Sequence, residues 1–312
     1  MIVLGILLVL AVLTAGILRL AVKKDWSRNL WKYTSRSFAW IGLVVFCIMT
    51  LNCFIQYHAT PFEDKYMTGY RTEGYSVEEL AALRDYVVVH LNELAEQMDR
   101  DENQDIVYGQ DLYAAAHEAM RRLGETYGQL QGYYPRPKKI YFSNILSQSY
   151  MMGYYFPFSM EANYNKEMYI ANVPSVLCHE LAHLKGILQE DEANLIGYLA
   201  CIGSEDLFFQ YSGYLGVLSY VENEFLRTIR RDAKEYQKHP AISELVRHDD
   251  IFLTEKAWEE VEKKAILDTE TMKKVSDVAT ETTLKINGVE EGLKSYSGVV
   301  ELLLHYYDGI LF

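Results

Sequence analysis

Cysteine is scarce in this chain, with four among 312 residues, too few for a disulfide scaffold of this size. Cys47 and Cys53 lie in an apolar N-terminal run. Cys178 and Cys201 fall on successive predicted helices, where buried thiols are the expected state and a disulfide is the alternative. Positive charge is short as well: 30 Lys and Arg face 43 Asp and Glu, a formal net charge of -13. The deficit is uneven. Residues 1–57 hold six basic residues and one acidic, which leaves 24 basic and 42 acidic residues beyond them. So acidic a region excludes nucleic acid as a partner, and anionic lipid headgroups repel it. Repeats and low-complexity tracts are absent too.

Long apolar runs, by contrast, are present. Residues 1–22 form one run with a single charge, Arg19, near its end, long enough at ~1.5 Å per residue to cross a ~30 Å hydrocarbon core. A second run, Phe38 to Tyr57, carries Trp40 and Tyr57 as interfacial anchors. The pair predicts a two-helix transmembrane hairpin over residues 1–57. A cleaved signal peptide is the rival reading of the first run, but there is no basic segment ahead of it and a second run follows closely. Between the runs lies KKDWSRNLWKYTSR, read as a short basic loop; by the positive-inside rule it belongs in the cytoplasm. Residues 58–312 then form an extracytoplasmic domain on a tether in the cell membrane.

Within that domain, Ser76 and Glu79 make a capping box that opens an amphipathic helix to about Met98, and a second helix is predicted from Asp111 to Leu130. His90 and His117 on these helices have no partner at ligand spacing and read as packing or surface residues. Short strands are predicted at Lys139–Ser143, Gly153–Phe158 and Glu167–Ile170, with a turn at Asn163–Asn165. Pro157 suits an edge strand, because it cannot donate to a ladder. Further helices are predicted at 190–202, 205–222, 254–286 and 298–307. The fold class is therefore α+β and mainly helical.

The densest chemistry lies in Cys178-His179-Glu180-Leu181-Ala182-His183, an HExxH pattern. Histidines four apart share one helix face and reach one Zn²⁺, while the intervening Glu180 is placed as a general base toward water at that metal. Pro174 and Ser175 suit the helix start and Gly186 its end. The third ligand must follow the reversal, where Ile187-Leu188-Gln189-Glu190-Asp191-Glu192-Ala193-Asn194 opens the next helix. Its ExxAN pattern resembles the gluzincin-type zincin peptidases. That resemblance implies a small sheet above the HExxH helix, Glu190 as third zinc ligand, and Asn194 supporting a ligand histidine. Glu192 is the alternative ligand. The metzincin turn fits less well, since its third histidine falls on Gln189 and no Met-turn follows.

A narrower resemblance covers nearly the whole chain. It is to a bacterial family of membrane-anchored, zincin-like proteins with two N-terminal spans, a GxYFPF segment, HELAH, a glycine and an EDEAN run. Asn287-Gly288, Gly292, Ser295-Tyr296, Leu302 to Leu304 and Tyr306-Tyr307 continue the likeness. What these resemblances imply is a membrane-anchored zinc metallopeptidase acting on a peptide or protein substrate, with the Gly153–Phe158 strand either pairing with substrate or packing as an aromatic core strand. Tyr155, Tyr214, Tyr296 and His305 are the candidates for stabilising the oxyanion. The alternative is an inactive zincin-like domain serving as a scaffold at the membrane surface.

Overall fold

The computed structural model describes residues 24–67, 74–265, 267–286 and 298–312. They are mainly helical, with one small mixed sheet. Two compact units emerge: one holds the chain up to Ile55 together with Pro157–Met160, and the other holds Gln56–Phe156 and Glu161–Phe312.

In the first unit, helix α1 (Lys24–Met49) runs on through a π-helical turn, Thr50–Phe54, and a last turn, Ile55–Tyr57. Its segment Trp31–Tyr57 is 27 residues of apolar helix, roughly 40 Å at ~1.5 Å per residue and so long enough to cross a membrane. The stretch expected as a loop before Phe38 is helical from Lys24 onward. No Gly or Pro interrupts residues 24–41, so the helix has nothing to stop it. The first run of the expected hairpin lies outside the described residues.

In the second unit, α2 (Phe62–Tyr66) is followed by α3 (Val77–Ala95), which opens on the Ser76–Glu79 capping box. Helix α4 (Leu112–Thr126) is capped by Asp111. It ends before the predicted Leu130, and Gly128–Leu130 make a 3₁₀ turn instead. Then come β1 (Lys138–Lys139), α5 (Ser143–Gln148), β2 (Gly153–Phe156) and β3 (Glu161–Tyr164). The sheet order is β1-β3-β2, with β1 parallel and β2 antiparallel to β3. Strand β2 is thus at an edge, as Pro157 suggests, but the turn falls at Pro157–Met160 and not at Asn163–Asn165. Pro157 ends the ladder, and Met160 takes a left-handed conformation at φ 49°. Residues expected as a strand at Glu167–Ile170 instead lead into a 3₁₀ turn, Ile170–Asn172. Of the Lys139–Ser143 strand only its start is in the sheet.

Helix α6 (Val173–His183) carries the HExxH residues, and Pro174 sits in its first turn. Ser175 does not cap it: its hydroxyl donates back to the Asn172 carbonyl at 3.1 Å. Gly186 stops the helix as expected, at φ +81°. There follow α7 (Glu190–Ile202), α8 (Leu207–Thr228), α9 (Ala233–Tyr236) and α10 (Glu244–Asp249). The stretch expected as one helix over 254–286 is two, α11 (Glu255–Lys263) and α12 (Thr269–Ile286), and α13 (Val299–Tyr307) follows.

Helix α6 packs against α4, α7, α8, β2 and β3, which places it at the centre of the unit. Leu177, Cys178, Leu181 and Ala182 on it are fully buried. Its entry is tied down by a buried carboxylate, Asp249. That group accepts from Arg100 Nη2 at 2.7 Å, from the Tyr211 hydroxyl at 2.6 Å and from the Tyr169 hydroxyl at 3.0 Å. Tyr169 is the residue before the 3₁₀ turn that leads into α6, and Asn172 donates to the Ile251 carbonyl at 2.8 Å. Removing one partner of a buried pair leaves the other charged and unsatisfied. Asp249→Ala is therefore expected to destabilise the protein by about 3–5 kcal/mol, read as a lower urea midpoint at unchanged slope, with Asp249→Asn losing less.

Candidate metal centre

His179 and His183 lie one turn apart on α6, their rings 4.6 Å apart between centroids. Across from them, Glu190 is the first residue of α7. Its Oε2 lies 3.2 Å from His179 Nε2 and 3.8 Å from His183 Nε2. The expected third ligand thus meets both imidazoles through a single oxygen. A donor atom from each of His179, Glu180 and His183 also falls within 4.8 Å of the others. Glu180 makes a poor third ligand beside them. It neighbours His179 on the helix, and its carboxylate is held against another element, described below.

The tautomer of His183 shows what this geometry suits. Its Nδ1 lies 2.7 Å from the Ile187 carbonyl, which can only accept, so the proton is on Nδ1. Burial pushes the pKa of His183 down to about 4, overriding the pull of Glu190, so the ring is neutral. Nε2 therefore presents a lone pair toward a carboxylate oxygen. His/His/Glu is a donor set that Zn²⁺ could take. Gly186 makes this possible. Its left-handed conformation turns the chain so that the carbonyl of the next residue returns to His183.

Burial also opposes charge on His179, but the Glu190 carboxylate outweighs it and raises the pKa, with smaller help from Glu180 and the Asn194 amide. Asn194 stands one turn after Glu190 on α7, with its side chain near His179. Glu192, the alternative ligand, is engaged elsewhere: its Oε1 accepts from the Glu63 backbone N–H at 3.0 Å, capping α2.

Glu180 is 4% exposed, and its Oε2 has no hydrogen-bond partner among the described residues. Its other oxygen lies against β2, where a Cβ on Gly153 would come within 2.2 Å of Oε1. Two residues along the same strand face, Tyr155 places its ring 5.9 Å from that of His183. Strand β2 therefore lays Gly153 and Tyr155 over the helix, while Tyr154 and Phe156 pair on the other face.

The remaining candidates are not at this centre. Tyr214 is buried among Tyr86, His90 and Tyr198, His305 pairs with Glu63, and Tyr296 lies outside the described residues. His90 bonds the Tyr86 carbonyl of its own helix and His117 the Pro135 carbonyl, both in packing roles. Cys178 and Cys201 are buried free thiols, with Sγ atoms 3.9 Å apart.

Two residues at the centre escape a sequence reading. Gly153 looks like any strand glycine. Tyr220, one of 25 tyrosines, reaches the centre only because α8 packs on α7; burial raises its pKa, and the Glu190 charge adds to the rise.

Two outcomes follow from this geometry. Burial, helped by the Glu190 charge, lifts the Glu180 pKa from 4.5 to about 8. In metal-free protein the folded state then keeps a proton that the unfolded state releases, so stability falls as pH rises from 4.5 to 8. His183 acts in the opposite sense, losing stability as pH falls from 6.5 to 4. Glu180→Gln is expected to raise the melting temperature of metal-free protein more at pH 8 than at pH 5. Gly153→Ala is expected to cost about 1–3 kcal/mol by overpacking against Glu180. Most of that cost should vanish in a Glu180→Ala background, as a double-mutant cycle would read.

No curated protein and no solved structure matches the chain. One family profile does, described as "Protein of unknown function (DUF3810)", and it matches residues 1–304. With nearly its full length matched, the chain belongs to the DUF3810 family.

Proposed function

We propose that this protein is a membrane-anchored, zinc-dependent peptidase of zincin type. The observation that carries the reading is the meeting of two imidazole Nε2 atoms on one carboxylate oxygen, beside a buried glutamate with an unpartnered oxygen. His179, His183 and Glu190 would hold the ion, and Asn194 orients His179. A bound zinc supplies Lewis acidity and brings the pKa of a water to near 7.

The chain does the rest. Glu180, whose Oε2 has no partner among the described residues, would take a proton from the attacking water and return it to the leaving amine. Gly153 leaves room for that carboxylate. Tyr155 and Tyr220 are the hydroxyl-bearing residues beside the ligands, and a hydroxyl donor is what a developing oxyanion needs. The edge position of β2 suits an extended peptide adding to the sheet. The apolar helix Trp31–Tyr57 supplies the anchor, and the domain after it is the extracytoplasmic part in this reading.

The test is elemental analysis of the full chain in detergent, paired with cleavage of a fluorogenic peptide library. Zinc near one per chain is expected, lost in His179→Ala and Glu190→Ala and kept in Glu192→Ala. Glu180→Ala should keep its zinc and lose about 10²–10⁴-fold in cleavage rate. A folded protein that takes up no zinc would overturn the reading. Equal rates for Glu180→Ala and the parent would do the same and favour a scaffold.

A further inference from the structure

We propose that the turn joining β2 and β3, Pro157-Phe158-Ser159-Met160, is inserted in the lipid bilayer beside the apolar helix. The inference rests on reading Trp31–Tyr57 as a membrane span. It starts from the grouping of these four residues with the chain up to Ile55 and not with the strands they connect. Within that unit, Asn52 Nδ2 donates to the Pro157 carbonyl at 2.7 Å.

Asn52 lies in the π-helical turn Thr50–Phe54, five residues short of Tyr57. At ~1.5 Å per residue that is about 7–8 Å inside the end of the apolar helix. Amphipathic elements rest at a similar depth, about 5–10 Å into the headgroup and acyl boundary. A primary amide at this level is costly unless bonded, and the turn supplies the acceptor. Pro157 suits the place, because it offers a carbonyl and has no N–H to leave unsatisfied.

The composition of the turn agrees. Pro157-Phe158-Ser159-Met160 carries no charge, and Phe158 and Met160 are 39% and 45% exposed. The next residue, Glu161, carries the first charge and pairs with Lys138. Around Asn52, the helix presents Leu51, Phe54 and Ile55 at 60%, 49% and 49% exposure. Helix and turn thus offer apolar side chains at one level, and a lipid surface covers both.

The test uses the full chain in phosphatidylcholine vesicles with Cys47 and Cys53 changed to Ala; Cys178 and Cys201 are buried and do not react. An environment-sensitive dye is attached at Ser159→Cys and, separately, at Met160→Cys. Val44→Cys in the apolar helix and Glu102→Cys in the exposed loop after α3 serve as references. Dye at 159 and 160 is expected to shift to the blue, to lose most of its emission to lipids carrying a shallow nitroxide, and to resist aqueous iodide. Dye at 102 should do the reverse. If dye at 44 is quenched by lipid while 159 and 160 behave like 102, the turn is in water and the inference is overturned. If dye at 44 is also open to iodide, the membrane span itself is wrong and the inference falls with it.

Discussion

Helix α6 carries two imidazoles and a carboxylate and is nonetheless buried on nearly every side, and that constraint governs the structure around it. Each polar group in such a place needs an answer, because an unpaired buried charge or donor costs several times what a satisfied hydrogen bond returns. His183 is answered on one side by the Ile187 carbonyl and, with His179, faces Glu190 on the other. Glu180 keeps one oxygen unanswered among the described residues. The backbones crowd in accordingly. A Cβ on Gly197 of α7 would lie 3.1 Å from the Ser175 carbonyl and 3.4 Å from the His179 Cβ.

The surrounding polar clusters hold this arrangement in place. Arg84, fully buried on α3, donates to Glu222 of α8 at 2.9 Å and to the Pro240 carbonyl. It thereby fixes α8, the helix that carries Tyr220. Asp249 does the same for the entry to α6 through Tyr169. Each cluster becomes satisfied only when several distant segments meet. In this way a modest sheet of three short strands is enough, since helices on the other sides supply the rigidity.

How much of this could be read from residues alone divides along local and non-local lines. The α6 helix, its glycine stop and the return of Glu190 are local facts, set by side chains a few positions apart, and they are legible as spacing. The capping box at Ser76 is legible for the same reason. The β2–β3 register is not, because YYFPFSMEANYN offers aromatic and turn-forming residues at several offsets, and the choice falls to Pro157 and the left-handed Met160. Nor is the division of labour in Glu190-Asp191-Glu192. Two glutamates two apart on a helix point to different sides, but which side meets the histidines depends on how α7 docks. Tyr220 and Gly153 were hidden likewise, since their roles come from elements that meet only in the tertiary fold.

That division of labour has a mechanical side. Gln189 donates to the Tyr57 carbonyl at 3.4 Å and Glu192 accepts from Glu63, while Gly186 sits so close to Gln56 that an added Cβ would collide with it. The stretch of chain that first leaves the apolar helix is therefore clasped by the turn that presents Glu190. A cut between Tyr57 and Phe62 would be felt first at the turn that presents Glu190. The segment from Gln56 to Glu63 is thus part of the frame in which the three candidate ligands are aligned.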